Sequence, residues 1–291
     1  MSALSDMENE VEDFANEIEN ISSYNSDVEE YYKGTQIYFS GLVCNPGIMF
    51  LGINPGQGYW KQNNEIVRRY EPLDYNEYYD FYYCGGYSGY QLAKDWVDIF
   101  ENRVCRLDLL KHSVKSNCYF FATKNTSDLN QLKNELDGIT DYDLEEKSKE
   151  WNRTLLDYIQ PYILICEGYG VRDKLYEWYP DEFEMYDEYT GKLSLDNGDI
   201  DVLVIKRTYS NIQDKASVSN ELSDLINNND LTFIDDDDCN DCNCDCDDDD
   251  DCDDCNCDCD DDDDCDDEDS DGSNSYVSPI VLASILTRKK K

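Results

Sequence analysis

Four short apolar segments, each followed by a polar or glycine-containing loop, constrain the fold of this chain more than any other feature. They are Gly47–Leu51, Asn117–Ala122, Tyr162–Cys166 and Val202–Ile205. Apolar segments of this length between turn signals are typical of strands buried within a parallel sheet. Stretches with helical periodicity alternate with them, namely Leu92–Leu110, Leu129–Leu136, Glu145–Tyr158, Val171–Trp178 and Ala216–Ile226. The alternation predicts a three-layer α/β/α fold around a mostly parallel central sheet.

The loops that follow the apolar segments are the expected place for a functional site. In open α/β sheets, ligands bind outside the carboxyl ends of the parallel strands. The loops that follow the four segments are unusually polar or rich in glycine. We therefore expect one edge of the sheet to carry Gly52–Gly56, Thr123–Asn125, Glu167–Gly170 and Lys206–Asn211.

Residues 1–34 precede the predicted sheet and contain an amphipathic pattern. Apolar residues recur at alternating spacings of four and three positions, at Met7, Val11, Phe14, Ile18 and Ile21. This spacing predicts a helix with one apolar face, for which Ser5 is the expected N-cap. We expect the helix to pack against an α/β domain of residues 35–234, although its two heptads also allow a partner interface.

The composition of Asp235–Gly272 excludes this segment from any core. It holds 24 of the 67 acidic residues, nine of the 14 cysteines and no basic residue, so we predict that it is disordered. Its cysteines repeat with a period of 13 residues: Cys239, Cys242, Cys244 and Cys246 are followed by Cys252, Cys255, Cys257 and Cys259. The segment is either a solvated tract without a specific role or a tail that binds metal ions or basic proteins, since thiolates and carboxylates are metal ligands.

Charge limits how the chain can bind nucleic acid. The formal net charge is −43, and residues 273–291 are a short, mildly apolar segment with a basic end. Affinity for phosphate groups comes mainly from Lys and Arg, so a generic, charge-driven nucleic-acid binder is excluded and any DNA contact must be local.

The apolar segments are too short to span a membrane, and the five cysteines before residue 235 lack paired spacing. We therefore expect an intracellular protein, of the cytoplasm or nucleus, without membrane contact.

One segment carries a recognisable chemical motif. The apolar residues Ile48–Leu51 run directly into Gly52-Ile53-Asn54-Pro55-Gly56. This strand and turn resemble the first motif of the uracil-DNA glycosylase superfamily, and of its mismatch-specific branch in particular. The resemblance covers about residues 35–230, because Pro161–Gly168 and Lys206–Asn211 follow as weaker landmarks in the family's order. A turn between a strand and a helix also uses Gly, Asn and Pro for its backbone angles alone, and this alternative stays open.

The resemblance implies chemical roles for particular residues. A glycosylase extrudes a base from the duplex, binds it, and delivers water to the sugar carbon. Asn54 would be the catalytic residue that orients the water, and Asn125 would recognise the base. An aromatic residue would stack on the base, either Tyr59, Phe81, Tyr82 or Tyr83. The implied substrate-binding residues are Gly52, Ile53, Pro55, Gly56, Tyr59, Asn125, Tyr209 and Ser210, and the implied DNA-binding residues are Lys206 and Arg207. No metal ion or other cofactor is implied.

The second landmark departs from the family's pattern. Active members commonly carry a His-Pro-Ser-type loop there, whereas this chain has Thr208-Tyr209-Ser210-Asn211. The single histidine, His112, precedes the second predicted strand and is not expected in the site. Two hypotheses stay open: an enzyme that hydrolyses an N-glycosidic bond in DNA, and a catalytically inactive relative that serves as a binding module. A Rossmann-type nucleotide site is disfavoured because the Gly-x-Gly-x-x-Gly spacing is absent from the turn.

Overall fold

A computed structural model describes residues 2–56, 59–62, 65–68, 79, 83, 91–137, 144–208 and 210–232 of the chain. The backbone of residues 59–62 and 65–68 is described without their side chains. The predictions for Asp235–Gly272, for residues 273–291 and for Phe81, Tyr82 and Tyr209 therefore lie outside the described residues.

Six strands form the central sheet. The strands of the described chain are β1 (Ile48–Gly52), β2 (Tyr59–Gln62), β3 (Glu65–Arg68), β4 (Val114–Asn117), β5 (Ile163–Cys166), β6 (Phe183–Met185), β7 (Thr190–Leu195), β8 (Gly198–Val204), β9 (Arg207–Thr208) and β10 (Asn211–Ile212). The central sheet has the order β4-β1-β5-β8-β7-β6, while β2 pairs with β3 and β9 pairs with β10 in separate hairpins. β1 is parallel to β4 and β5, and β5 is parallel to β8. The predicted α/β fold with a mostly parallel sheet is confirmed, with β7 and β6 as an antiparallel extension that the sequence analysis missed.

Helices cover both faces of this sheet. They are α1 (Ala3–Ser22), α2 (Ser26–Tyr31), α3 (Gln91–Val97), a π-helix (Asp98–Arg103), α4 (Leu107–Lys111), α5 (Thr126–Asp137), α6 (Leu144–Ile159), α7 (Tyr169–Trp178) and α8 (Lys215–Asn228). Met49 and Leu51 of β1 pack in one core with α1, α5, α6 and α7. Ile48 and Phe50 pack in a second core with α3, the π-helix, α4 and α8. Successive residues of a strand point to opposite faces, so burial of all of β1 gives the three layers.

Helix α1 belongs to the first of these cores. Its buried residues are Leu4, Met7, Val11, Phe14, Ile18 and Ile21. The Phe14 ring lies 5.4 Å from that of Phe121 and 6.0 Å from that of Trp151, measured between centroids. The predicted N-cap was wrong: the helix begins at Ala3, and the N-cap is Ser2, whose Oγ accepts from Ser5 N at 3.2 Å.

The predicted helix Leu92–Leu110 is divided into three parts. α3 ends at Val97, the π-helix continues to Arg103, and α4 begins at Leu107. Between the last two, Cys105 has a φ of 56°, a left-handed backbone conformation that cannot continue a right-handed helix. Amphipathic spacing alone did not reveal this break, because the apolar residues on both sides of it face the same core.

The second strand of the sheet begins and ends earlier than predicted. It comprises Val114–Asn117, whereas the predicted segment Asn117–Ala122 overlaps it at one residue and otherwise follows it. Apolar pattern misplaced the strand because three of its four side chains, Lys115, Ser116 and Asn117, are polar although buried. The carboxyl end of this strand therefore carries Asn117, and Thr123–Asn125 lies several residues further on.

Candidate functional site

The four predicted loops lie at one edge of the sheet, because the strands that precede them are parallel. Two contacts join them in pairs. Pro55 O accepts a hydrogen bond from Thr123 N at 3.2 Å. A Cβ atom built on Gly168 would lie 3.4 Å from Arg207 Nε, so the loops after β5 and β8 also meet. Gly168 has a φ of 122°, which a residue with a side chain rarely adopts.

Hydrogen bonds from its amide nitrogen hold the Asn54 side chain in place. Nδ2 donates to Pro55 O at 2.8 Å and to Thr123 Oγ1 at 2.9 Å, with Phe121 O at 3.4 Å as a weaker acceptor. The Asn54 side chain is only partly buried, and its Oδ1 atom takes part in none of these hydrogen bonds. The turn therefore fixes the amide and leaves the oxygen as the atom that can interact with a ligand or water.

The backbone of the turn continues the pairing of β1 with the segment after β4. Gly52 O accepts from Cys118 N at 2.8 Å, and Ile53 O accepts from Tyr119 N at 3.0 Å. These bonds occupy carbonyl groups that a turn would otherwise expose, so the motif is a rigid extension of the sheet.

A group of buried polar side chains lies beside Gly52, and the sequence analysis had included only Glu167 among them, as the start of a loop at this edge. This edge cluster comprises Trp96, Lys115, Asn117 and Glu167. Both Glu167 carboxylate oxygens lie 2.8 Å from Lys115 Nζ, and Trp96 Nε1 donates to Oε1 at 3.3 Å. The Lys115 and Glu167 side chains are 7% and 4% exposed. The sequence contains little signal of this cluster, since Lys115 and Asn117 lie in a largely polar stretch, and Glu167, the partner of Lys115, is distant along the chain.

Burial and the Glu167 carboxylate shift the pKa of Lys115 in opposite directions. Burial lowers the pKa of its ammonium group, the Glu167 carboxylate counteracts this, and the nearby Arg207 lowers the pKa further. Burying two charges away from water costs free energy, and the attraction between them often does no more than offset that cost. The pair is therefore poor evidence for stability, and its position beside the motif favours a role in the site.

Asn117 has an unpaired amide nitrogen. The residue is 4% exposed. Over the described part of the chain, its Nδ2 has no hydrogen-bond partner. A Cβ atom on Gly52 would overlap with Asn117 Oδ1, so only glycine at this position admits the side chain. Because proteins rarely leave a buried donor unsatisfied, this nitrogen is a candidate ligand-binding atom.

The structure does not bring Asn125 into the site by its side chain. Asn125 Oδ1 accepts from Asp128 N at 2.9 Å, which is the N-cap interaction of helix α5. The residue is exposed, and it is linked to the turn indirectly, since Asn125 O accepts at 2.8 Å from the Thr123 hydroxyl to which Asn54 donates. Its assignment to base recognition followed from the misplaced strand end, and Asn117 occupies that end instead.

The remaining predicted site residues differ in placement. Gly56 and Lys206 are exposed, and Ser210 is partly buried. Tyr59 lies in β2, where only the backbone is described, and Tyr209 lies outside the described residues. Among the described residues, no hydrogen bond joins the side chains of Asn54, Asn125 and Ser210 to one another.

The hairpin of β9 and β10 carries Arg207 to the site and is anchored by a buried carboxylate. Asp95 of α3 accepts from Ile212 N at 2.9 Å and from Lys215 Nζ at 2.6 Å. Ile212 pairs directly with Arg207 across the hairpin. Burial alone would raise the pKa of Asp95, but hydrogen bonds from Lys215, Ile212 N and Gln91 hold it below its usual value. Within the described ranges, no carboxylate forms a salt bridge with Arg207 itself.

The described residues lack both a metal-ligating group and a membrane-spanning helix. In those ranges, no three His, Cys, Asp or Glu side chains are grouped so as to hold a metal ion. None of the helices in the same part of the chain combines the length and apolar composition that crossing a bilayer requires. The cysteine repeat lies outside these ranges.

Comparison with known proteins does not assign the chain to a family. No protein-family model matches it, and no curated protein matches it at a significant level. The side chains at the carboxyl edge of the sheet are accordingly the basis for a functional proposal.

Proposed function

We propose that the chain is a uracil-DNA glycosylase-like protein that excises a damaged or mismatched base from DNA by hydrolysis of the N-glycosidic bond. The observation that carries the proposal is the contact between the Gly-Ile-Asn-Pro-Gly turn and the edge cluster at Gly52. A rigid turn with an available amide oxygen thereby lies beside a buried, unpaired hydrogen-bond donor. Water activation and base recognition need those two features side by side.

Asn54 is the catalytic residue in this proposal. With Nδ2 bound to Pro55 and Thr123, Oδ1 can accept a hydrogen bond from a water molecule that attacks the sugar carbon. A neutral amide orients water without removing its proton, so we expect a slower enzyme than one with a carboxylate at this place.

Asn117 takes the base-recognition role first assigned to Asn125. Leaving its buried Nδ2 unpaired costs roughly 1–3 kcal/mol, which a base carbonyl or ring nitrogen would relieve on binding. Binding of an extruded base is thereby favoured over the empty site, in which the donor is desolvated without compensation.

DNA would contact the site through a small cationic area. Arg207 lies against Gly168, and Lys206 beside it is exposed, in a chain with a net charge of −43. Repulsion between the acidic body and the phosphate backbone must be overcome at this point alone. We therefore expect weak DNA binding that falls steeply with salt concentration.

A catalytically inactive binding module is the second candidate, and one observation favours it. The site has no histidine, because His112 follows α4 and precedes β4, at the opposite end of that strand from Asn117. The same edge cluster would then bind a base or nucleotide without cleaving it. Both the enzyme and the binding module would bind a base, but only the enzyme would cleave the glycosidic bond.

Single-turnover excision assays decide between these two. Single- and double-stranded oligonucleotides would carry uracil, thymine mismatches or other damaged bases, with wild type, Asn54→Ala and Asn125→Ala compared. We expect excision of at least one base, a loss of about 10²-fold in Asn54→Ala, and a wild-type rate in Asn125→Ala, whose side chain only caps a helix. Excision by Asn54→Ala at the wild-type rate would reduce the motif to a structural turn, and no excision of any base would favour the binding module.

A further inference from the structure

The proposed reaction needs positive charge where the base departs. When the glycosidic bond breaks, its electron pair stays on the base, so the departing base is an anion unless a cation or donor stabilises it. The second-motif loop supplies no histidine for this purpose. A cation in a site shielded from water is effective for this role, because screening there is weak.

Lys115 is a buried cation near the turn. Its Nζ lies 2.8 Å from Glu167 Oε2, and that oxygen would lie 3.6 Å from a Cβ atom on Gly52. Lys115 and Asn117 are two positions apart on β4, so both side chains leave the strand on the same face. The ammonium group is thus next to the amide that we assign to the base.

We infer that Lys115 stabilises the negative charge of the departing base, with Glu167 as the positioning residue that holds the ammonium group in place. This inference rests on the proposed function and adds a residue to it. Trp96 fixes the Glu167 carboxylate from α3, so that the ion pair has one orientation. A buried ion pair that adds little to stability has a reason to be retained if its cation acts in the reaction.

The chemical step is a hydrolysis in which Lys115 stays protonated throughout. The bond between C1′ and the base nitrogen breaks, and its electron pair goes to the base. The water oxygen oriented by Asn54 forms a bond to C1′, and one proton of that water ends on the base, directly or through solvent. The products are the free base and an abasic deoxyribose, so no oxidant, reductant or cofactor is consumed.

Dependence of the rate on leaving-group acidity tests this role. The excised base is compared with its ring-fluorinated analogue, uracil with 5-fluorouracil first, because fluorine withdraws electrons and stabilises the base anion without help from the protein. Lys115→Met should slow excision of the ordinary base by about 10²-fold and that of the fluorinated base by about tenfold less. A merely structural Lys115 would slow both bases equally, and that result would overturn the inference while the proposed function stands.

Two further variants keep the outcome interpretable. Lys115→Met leaves the Glu167 carboxylate buried without its partner and can lower the yield of folded protein. Lys115→Met/Glu167→Gln removes both charges, so it should fold and show the same unequal loss. Lys192→Met, which breaks the exposed pair with Asp199 on β7 and β8, is the matched control and should leave both rates unchanged. If wild type excises no base at all, the proposed function itself is wrong.

Discussion

Asn54 Nδ2 donates to Thr123 Oγ1 at 2.9 Å, and the same hydroxyl donates to Asn125 O at 2.8 Å. These two hydrogen bonds connect the turn after β1 to the start of helix α5. One buried hydroxyl group therefore holds the proposed catalytic amide in its orientation.

Replacing that hydroxyl should affect both stability and rate. In Thr123→Val the Asn54 amide loses one acceptor in a fully buried place, and we expect a loss of about 1–2 kcal/mol in the free energy of unfolding. Excision should fall by about tenfold, because Asn54 gains rotational freedom. Thr123→Ser keeps the hydroxyl and should behave nearly as wild type. Denaturant titration and single-turnover rates measure the two effects, and a full rate in Thr123→Val would contradict the relationship.

Gly52 and Gly56 offer a matched pair within the motif. A Cβ atom at Gly52 would overlap with Asn117 Oδ1, whereas at Gly56 no described atom lies within 4 Å. We expect Gly52→Ala to destabilise the protein by about 1–3 kcal/mol and to abolish base binding, since the Asn117 side chain must move. Gly56→Ala should cost little in either respect. Thermal unfolding together with nucleobase titration checks this, and equal effects of the two substitutions would refute it.

Asp95 should control the hairpin that carries Arg207. Asp95→Asn removes the charge that Lys215 Nζ contacts, and we expect a loss of about 2 kcal/mol and faster hydrogen exchange at Ile212 N. DNA affinity should fall as well, because a hairpin whose strands are two residues long is not stable by itself. Asp98→Asn, at a more exposed carboxylate 3.6 Å from the same Lys215, is the control. Unchanged exchange in Asp95→Asn would show that the hairpin is held by other contacts.

Arg207 and Lys206 should set the salt dependence of DNA binding. Removing one phosphate contact reduces the slope of log affinity against log salt concentration by about 1 and weakens binding to all sequences alike. We therefore expect Arg207→Ala and Lys206→Ala each to reduce this slope, and Lys192→Ala to leave it unchanged. Fluorescence anisotropy at several salt concentrations provides the measurement. A slope that neither substitution alters would move the DNA contact elsewhere on the protein.

Glu145 should give the protein an acid-sensitive component of stability. Its carboxylate accepts hydrogen bonds from Tyr119, Lys133, Lys174 and Trp178. Burial alone would raise the pKa of Glu145, but these donors lower it from 4.5 to about 2. Because the pKa is lower in the folded state, this contribution is present above pH 4.5 and is lost as the pH falls toward about 2.

Glu145→Gln should therefore flatten the pH dependence of unfolding in that window. We expect the variant to be less stable than wild type at neutral pH by about 1–2 kcal/mol, after allowance for solvent screening of the partly exposed pairs. The difference should shrink toward pH 2. Glu184→Gln, at an exposed position of β6, is the control. Denaturant unfolding at several pH values would contradict the expectation if wild type and Glu145→Gln kept a constant difference.

Local pattern was enough to predict the class of the fold, because most strands that are buried on both faces of a parallel sheet are apolar. Ile48–Leu51 and Ile163–Cys166 follow this rule, and their positions were predicted to within a residue or two. The loop edge followed from the same reasoning, since strands that run in parallel have their carboxyl ends together. The turn Gly52–Gly56 was therefore placed at the right edge before any contact was known.

Tertiary structure alone decided which polar residues make up the site. Lys115 and Asn117 made β4 look like a loop, because the charge of Lys115 is balanced by Glu167, 52 positions further along the chain. Asn125 differs, because its side chain is bound locally, by the Asp128 N–H that it caps three positions along the chain. Hydrophobic periodicity reports how much of a segment is buried, whereas the pairing of buried polar groups depends on which strands are neighbours, and only the folded sheet establishes that.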